Sequence, residues 1–166
     1  MRRLSFALML VLAGCVGSAP ESLLHEQGRM SSAALFEPAR FGGEWRVVQS
    51  GVAGCARARQ NWAFDGQGGY RLSGVDCAGA APRALSGQMR VTGPGGRMAA
   101  SGEAYRRLPV WVLWVDQDYR MAALGTPDGS FGVVLAREGA TSRDDLIRAA
   151  REVLDFNGYD LRKIGR

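Results

Sequence analysis

Short apolar runs separated by turn residues make up most of the chain from Phe36 onward. Glycine-rich stretches, such as residues 65–69 and 93–96, end several of these runs. The pattern predicts eight strands, at residues 44–49, 57–64, 70–75, 85–92, 97–105, 110–115, 119–124 and 131–137. Short strands at such regular spacing are typical of an antiparallel sandwich or barrel.

Alternation within the runs indicates which residues share a face. Trp62 and Phe64 fall on one face of the second strand, and Tyr70 and Leu72 fall on one face of the third. The sixth strand and the middle of the eighth are instead apolar on both faces. A strand that is buried on both sides needs a second layer outside the sheet.

A helix near the C-terminus supplies that layer. Residues 142–156 place apolar side chains at helical spacing, and Asn157-Gly158 is a typical helix stop. We therefore predict an all-β protein: an eight-stranded antiparallel up-and-down β-barrel with one C-terminal α-helix packed on the outside. An eight-stranded barrel has an interior just wide enough for one small ligand.

The N-terminal residues predict export and lipid anchoring. Arg2 and Arg3 precede an apolar stretch, residues 4–12, that is too short to span a bilayer but suits a signal peptide. The sequence Leu-Ala-Gly-Cys at residues 12–15 resembles the bacterial lipobox. This resemblance implies cleavage of a signal peptide, residues 1–14, and diacylglyceryl modification and N-acylation of Cys15.

The residue after this cysteine, Val16, is not the aspartate that is associated with inner-membrane retention. We therefore predict a lipid anchor in the outer membrane, with the protein facing the periplasm. Residues 15–34 are rich in Gly, Ser and Ala and predict a flexible tether ahead of a barrel domain at residues 35–166.

Composition narrows the classes of function. The formal net charge is +5, but no basic run is longer than Arg106-Arg107, which argues against nucleic-acid binding. A single histidine, His25, and three cysteines without Cys-x-x-Cys spacing form no pattern of metal ligands. The chain has no Gly-x-Ser-x-Gly motif either. We therefore expect neither an enzyme nor a cofactor.

Three motifs, in order along the chain, resemble the signatures of the lipocalin family. Gly43 and Trp45 form a Gly-x-Trp motif on the first strand. Asp116 and Tyr119 lie at the turn between the sixth and seventh strands, and Arg137 ends the eighth. Together with the lipobox and the tail that follows the helix, these motifs resemble the outer-membrane lipocalin lipoproteins of bacteria.

The resemblance gives these signature residues structural roles. An indole from the first strand fills the base of a barrel, and a guanidinium from the last strand would lie over it in a cation–π contact. We therefore assign Trp45 and Arg137 to stability rather than to chemistry.

The other two cysteines are expected to form a disulfide. Cys55 follows the first strand and Cys77 follows the third, and those two strand ends share one rim in an up-and-down barrel. The oxidising periplasm permits the bond. The alternative, a reactive thiol as in a lipocalin-fold isomerase, lacks a histidine or other base to activate it.

Period-two alternation and the resemblance together predict a ligand-binding interior. For the sixth strand only the resemblance decides the face, and it places Val112 and Trp114 inside. Gln49 and Asp76 would orient a polar head group at the rim. The predicted ligand-binding residues are Gln49, Trp62, Phe64, Tyr70, Leu72, Asp76, Val112, Trp114, Val133 and Leu135.

These features predict a lipid-anchored envelope lipocalin that binds a small hydrophobic ligand for storage or transport. A fatty acid or a lysophospholipid-like molecule suits the apolar and aromatic interior. The alternative is a periplasmic protein-interaction or inhibitor lipoprotein with a filled barrel, because apolar inward faces fit a hollow or a packed interior. We expect a monomer or a weak homodimer.

Overall fold

A computed structural model of the protein describes residues 22–25 and 30–165. The predicted signal peptide and the predicted lipidation site, Cys15, lie outside the described residues. The described parts of the predicted tether are hydrogen-bonded to the barrel. Leu23 N donates to Gly129 O (2.7 Å), and Ala33 N donates to Val112 O (2.9 Å). The division of the chain into signal peptide, tether and barrel domain otherwise stays a prediction.

Within these residues, eight antiparallel strands form a closed barrel in which each strand pairs with its neighbours in sequence and β1 pairs with β8. This architecture confirms the predicted fold. The strands are β1 (Gly43–Ser50), β2 (Arg59–Phe64), β3 (Gly69–Asp76), β4 (Arg83–Val91), β5 (Arg97–Ser101), β6 (Val110–Val115), β7 (Met121–Gly125) and β8 (Gly132–Ala136). The α-helices are α1 (Pro38–Phe41) and α2 (Asp144–Phe156).

The structure differs from the prediction in several strand bounds and in one helix, and three of these differences bear on the site. The fifth strand ends at Ser101, so Tyr105 lies in a tight turn, Ala104–Arg107, rather than on a strand. The seventh strand begins at Met121 because residues 116–120 form the preceding turn. The single-turn helix α1 was not predicted, since four residues are too few to show a helical period.

The alternating strand directions give the barrel two distinct ends. We call the end that holds α1 and the β2–β3, β4–β5 and β6–β7 connections the base. We call the opposite end, with the β1–β2, β3–β4, β5–β6 and β7–β8 connections, the mouth. The chain enters β1 and leaves β8 at the base, and the turn at Ala104–Arg107 lies at the mouth.

Helix α2 covers the outside of the last strands. Every residue of β7 and β8 is buried, which requires apolar neighbours on both faces of these strands. The inward side chains join the barrel core, whereas Met121, Val134 and Leu154 belong to a second cluster between the strands and the helix. This arrangement confirms the predicted second layer.

The C-terminal end of α2 also anchors the N-terminal segment. Asn157 Nδ2 donates to Val153 O, and Asn157 Oδ1 accepts from Ser31 N (2.8 Å). Gly158 has a φ of 88°, a value that favours glycine and ends the helix as predicted. Among the residues described, none of the helices combines the length and apolar character needed to cross a bilayer.

A disulfide joins Cys55 and Cys77 at the mouth, as predicted. Both cysteines are buried, and the bond ties the β1–β2 connection to the β3–β4 connection. Their sequence separation of 22 residues means that the bond closes a long loop in the unfolded chain.

We predict that replacing both cysteines with serine lowers the free energy of unfolding by about 3 kcal/mol, because the unfolded chain regains the entropy of an open loop. Urea denaturation at neutral pH measures the change. A reductant should lower the wild-type value towards that of the double variant and leave the double variant unaffected. Equal stabilities of the two proteins would contradict a stabilising bond.

Candidate ligand-binding site

The base of the barrel is closed by Trp45 and Arg137, as the sequence predicts. The Arg137 Cζ atom lies 3.9 Å from the centroid of the Trp45 ring, and the Trp45 Nε1 group donates to Phe41 O (2.8 Å). The Arg137 guanidinium also donates to backbone carbonyls at 2.8–3.3 Å, those of Arg40, Phe41, Gly42, Glu44 and Tyr119. Partial burial lowers the pKa of Arg137 from its very high ordinary value, and the side chain remains a cation.

Gly43 makes room for this arginine. Its φ of 107° is unfavourable for residues with a side chain, and a Cβ at this position would lie 3.0 Å from Arg137 Nη1. In the Gly-x-Trp motif, the tryptophan therefore fills the base of the barrel and the glycine leaves space for the guanidinium.

Asp116 holds the turn between β6 and β7. Its carboxylate accepts hydrogen bonds from the backbone N–H groups of Arg120 (2.5 Å) and Met121 (2.7 Å) and from Arg120 Nε (2.8 Å). Burial disfavours the charged form, but these hydrogen bonds outweigh it and lower the pKa of Asp116. Tyr119, with a φ of 55°, accepts from Glu37 N through its hydroxyl (2.6 Å). Both residues are therefore structural.

An aromatic column fills the interior from the base to the mouth. The Phe41 ring contacts Trp45 (4.9 Å between centroids) and Trp62 (5.1 Å) near the base. Trp62 then contacts Tyr105 (5.8 Å), which contacts Phe131 (5.2 Å) at the mouth. All five side chains are almost completely buried. The described residues thus form a packed interior along the axis of the barrel.

Most of the predicted ligand-binding residues do face this interior. Phe64 is partly buried and contacts the Tyr70 ring (5.7 Å) near the base. The fully buried members of the predicted set are Trp62, Tyr70, Leu72, Val112, Val133 and Leu135. Their inward direction agrees with the prediction, and their role in binding stays a prediction.

The predicted inward orientation of Gln49 is wrong, because its side chain lies outside the barrel. Its Oε1 atom accepts a hydrogen bond from Arg151 on α2 (2.8 Å). The pairing of β1 with β8 shifts register between Val47 and Gln49, and such a bulge reverses the alternation of faces beyond it. Ser50 therefore faces inward in place of Gln49 and is buried.

The predicted inward orientation of Trp114 is also wrong, again because of a β-bulge. The pairing of β6 with β7 shifts register between Val112 and Trp114. Beyond this bulge Trp114 packs in the cluster beneath α2, and Val115 packs against the barrel core. A bulge is an extra residue in one strand relative to the strand it pairs with. The sequence of the bulged strand alone therefore does not reveal it.

Asp76 is buried at the mouth, and its oxygens already have partners. One carboxylate oxygen accepts from Ala78 N (2.8 Å), and the other accepts from Arg83 Nε (3.0 Å) and Nη2 (2.9 Å). Through these bonds Asp76 stabilises the β3–β4 connection at the mouth. Its predicted contact with a ligand head group stays a prediction.

Tyr105 and Gln60, which the sequence analysis did not select, form the top of the column. The Tyr105 hydroxyl donates to Gln60 Oε1 at 2.6 Å, and both side chains are buried. Burial, followed by the nearby charge of Asp76, raises the pKa of Tyr105 well above its ordinary value, so the hydroxyl stays protonated and donates. Gln60 precedes Trp62 by two residues, and residues at this spacing on a strand share a face. The sequence could therefore have predicted that Gln60 faces the interior.

The backbone around Tyr105 is strained. Tyr105, Arg106 and Arg107 have φ values of 44°, 54° and 64°, which place three consecutive side-chain-bearing residues in the left-handed region. Each such residue costs roughly 1–2 kcal/mol. Burial of the Tyr105 ring and its hydrogen bond to Gln60 offset this cost.

A groove of about 400 Å³ lies at the mouth, next to the top of the aromatic column. Its apolar lining includes Leu23, Val52 and Phe131, and its polar edge includes Arg162 and Lys163. The volume falls within the range of sites for small ligands. A larger concavity, about 560 Å³, lies on the outer surface between β1 and the start of α2, away from the column.

Cationic side chains gather around the groove. Arg162 pairs with Asp160 (2.9 Å), and Lys163 Nζ donates to Ser22 O (3.0 Å). Arg106 lies against Gly79, where an added Cβ would be 2.7 Å from Arg106 Nη1. In the part of the chain that the structure describes, no three His, Cys, Asp or Glu side chains cluster as metal ligands would.

The Asp116 carboxylate gives the base a predicted dependence on pH. Its pKa is lower in the folded state than in the unfolded chain, so its contribution to stability is present above about pH 4 and is lost as the pH falls through the folded-state pKa. We predict that Asp116→Asn lowers the free energy of unfolding at pH 7 by about 2 kcal/mol, because charge-assisted hydrogen bonds are lost.

Urea denaturation between pH 7 and pH 3 measures this effect. The stability difference between Asp116→Asn and the wild type should shrink as the pH approaches 3. Asp118→Asn is the matched control, since Asp118 is exposed and pairs with Arg120 in the same turn, and it should have little effect. A constant difference at every pH would exclude the carboxylate as its source.

No protein-family profile and no curated protein sequence matches this chain. Solved structures do match it. Apocrustacyanin C1 is 13% identical, with 81% of this chain and 87% of that chain covered and a TM-score of 0.54. Insecticyanin from the tobacco hornworm Manduca sexta is 14% identical, with 82% of each chain covered and a TM-score of 0.57. Lipocalin 12 from rat epididymis is 13% identical, with 81% and 86% covered and a TM-score of 0.57.

Identities this low carry no information about ligand or location, but the overlap extends over most of each chain. The elements of this chain are a closed eight-stranded barrel and a helix beside it. The chain has the lipocalin fold.

Proposed function

We propose that this chain is a lipid-anchored protein of the bacterial outer membrane that binds one small hydrophobic ligand at the mouth of its barrel, for storage or transport. The groove beside Phe131 is the observation that carries the proposal. It combines an apolar lining and a suitable volume with polar groups at one edge, which is the usual make-up of a small-ligand site.

The charges at the mouth favour an anionic amphiphile, such as a fatty acid or a lysophospholipid-like molecule. Arg162 and Lys163 line the groove, and Arg106 lies against Gly79, another residue of its lining. Arg162 pairs with Asp160, and Lys163 donates to Ser22 O. A carboxylate or phosphate at this edge would lie beside these cationic groups while its chain covers the apolar lining.

The path of the N-terminal segment supports delivery from a membrane. Ser22 Oγ donates to Asp128 O (3.3 Å), and Leu23 N donates to Gly129 O, so this segment meets the barrel at the mouth. The proposed anchor, Cys15, precedes Ser22 by seven residues. Seven residues span at most about 25 Å. An acylated Cys15 would therefore hold the mouth, rather than the base, near the lipid surface.

The binding proposal is tested by placing a charge in the groove. We predict that Val52→Asp weakens the binding of a fluorescent fatty acid to the delipidated protein by about tenfold or more, because a carboxylate in the groove repels the head group and opposes burial of the chain. Fluorescence titration measures the affinity, and native mass spectrometry measures the stoichiometry, which we expect to be one to one.

Leu35→Asp is the matched control for this variant. It introduces the same charge at an exposed residue near the base, where Leu35 O accepts from the Tyr119 hydroxyl, and it should leave the affinity unchanged. Equal weakening by both variants, or wild-type protein that binds neither fatty acid nor lysophospholipid at micromolar concentrations, would contradict the proposal.

The orientation is tested separately on the lipidated protein in vesicles. We predict that a fluorophore attached to Ala81→Cys, in the mouth connection β3–β4, is quenched by bromine-labelled lipids. The same fluorophore on Gln67→Cys, in the base turn β2–β3, should be quenched far less. Both positions are exposed, and the strands between them separate the two labels. Equal quenching of both labels would exclude a mouth that faces the membrane.

A second candidate function is a protein–protein interaction through the mouth loops. The packed aromatic column favours it, because a filled barrel needs no ligand for stability. Specific capture of one envelope protein by the delipidated chain, sensitive to substitutions in the mouth connections and independent of added fatty acid, would support this candidate over ligand binding.

A further inference from the structure

The phenol ring of Tyr105 occupies an aromatic slot at the top of the interior. Trp62 and Phe131 are its ring neighbours, with centroid distances of 5.8 Å and 5.2 Å. The hydroxyl donates to Gln60 Oε1 at 2.6 Å. Tyr105 is completely buried although it belongs to a connection between strands, where most side chains are exposed.

Gln60 is held in position independently of Tyr105. Its Nε2 group donates to Val75 O (2.9 Å), and its Oε1 atom also accepts from Trp62 Nε1 (3.3 Å). A carbonyl oxygen has two lone pairs, so Trp62 uses one of them and the phenol uses the other. The slot thus presents a fixed hydrogen-bond acceptor at its inner end and aromatic surfaces around it.

The Tyr105 side chain is held in this slot against the preference of its own backbone. The left-handed φ values at Tyr105, Arg106 and Arg107 are relieved if the turn moves outward. Arg106 and Arg107 are themselves exposed. Departure of the ring would therefore release strain that its burial now maintains.

The sheet next to this turn is weakly closed. Strands β5 and β6 pair only at Arg97–Trp111 and Met98–Val110, so the part of β5 nearer the mouth has no partner on β6. By comparison, β3 and β4 pair over the full length of β3. The turn can move at this position without breaking a strand pair.

We infer that the slot filled by Tyr105 is a binding site for a planar aromatic ligand that carries a hydrogen-bond donor, such as a phenol or an indole, and that this ligand replaces the Tyr105 side chain. The site is distinct from the proposed groove for an acyl chain, although Phe131 borders both. Tyr105 acts in it as an internal competitor that provides the same ring and the same donor.

The experiment compares two flat probes, 2-naphthol and its methyl ether, which differ in the hydrogen-bond donor. We expect the wild-type protein to prefer 2-naphthol by about fivefold, the value of one hydrogen bond, and Gln60→Leu to lose that preference. Fluorescence titration or calorimetry measures each affinity. No preference for 2-naphthol in the wild type would overturn the assignment of Gln60 as the acceptor.

Variants of Tyr105 test the competition directly. Tyr105→Phe removes the internal donor and should tighten 2-naphthol binding by about fivefold, and Tyr105→Ala should tighten it further. Tyr119→Phe is the matched control, because the Tyr119 hydroxyl bonds Glu37 N and Leu35 O at the base, and this variant should bind 2-naphthol as tightly as the wild type. Equal affinities of the wild type and both Tyr105 variants would overturn the proposal.

Displacement of the turn has its own readout in the wild-type protein. Trypsin cleaves after arginine, so displacement of the turn should expose Arg106 and Arg107 to it. We expect 2-naphthol to accelerate cleavage after these two residues, and we expect the fatty acid to leave the cleavage rate unchanged. Unchanged cleavage at a saturating concentration of 2-naphthol would show that Tyr105 stays in place. The fatty-acid titration is scored separately, so failure of the groove proposal and failure of the slot proposal are distinguishable.

Discussion

The Arg137 guanidinium at the end of β8 reinforces the closure of the barrel, in which β1 pairs with β8. It stacks on Trp45 of β1 and donates to carbonyls at the start of β1 and in the β6–β7 turn. Residues separated by more than ninety positions in sequence are thereby held at one end of the barrel. A planar cation with five N–H donors can satisfy so many carbonyls at once, whereas a lysine cannot. Because the base is fixed in this way, any access to the interior would be at the mouth.

The packed interior would change how affinity arises for the aromatic ligand proposed above. A ligand that enters a preformed empty cavity gains its contacts without displacing anything, but here Tyr105 already makes equivalent contacts. The observed affinity for an aromatic ligand would therefore be the difference between two similar sets of interactions, reduced by the fraction of molecules in which the slot is closed. Backbone strain at residues 105–107 would raise that open fraction. Binding in the proposed groove would incur no such cost, since the groove is already open.

Period-two alternation predicted the barrel and much of its interior because composition and alternation are local properties. It placed Trp62, Tyr70 and Leu135 inward, in agreement with the structure. It failed beyond the bulges that move Gln49 and Trp114 to the outer face, because a bulge follows from pairing with another strand. The position of Tyr105 was missed for a related reason. Its burial depends on neighbours such as Trp62 and Phe131, which are distant in sequence and come together only in the closed barrel.

The two sides of the barrel differ in how readily they can change shape. Strands β7 and β8 are covered by α2 outside and by the core inside, so any opening there would expose apolar surface on both faces. The seam between β5 and β6 has only two paired positions, and the strained turn lies at its mouth end. A barrel opens most readily where the fewest buried contacts and hydrogen bonds must be broken. In this barrel that position is the seam between β5 and β6. The disulfide joins the β1–β2 and β3–β4 connections and includes no residue of the β5–β6 connection, so it does not hold this seam closed.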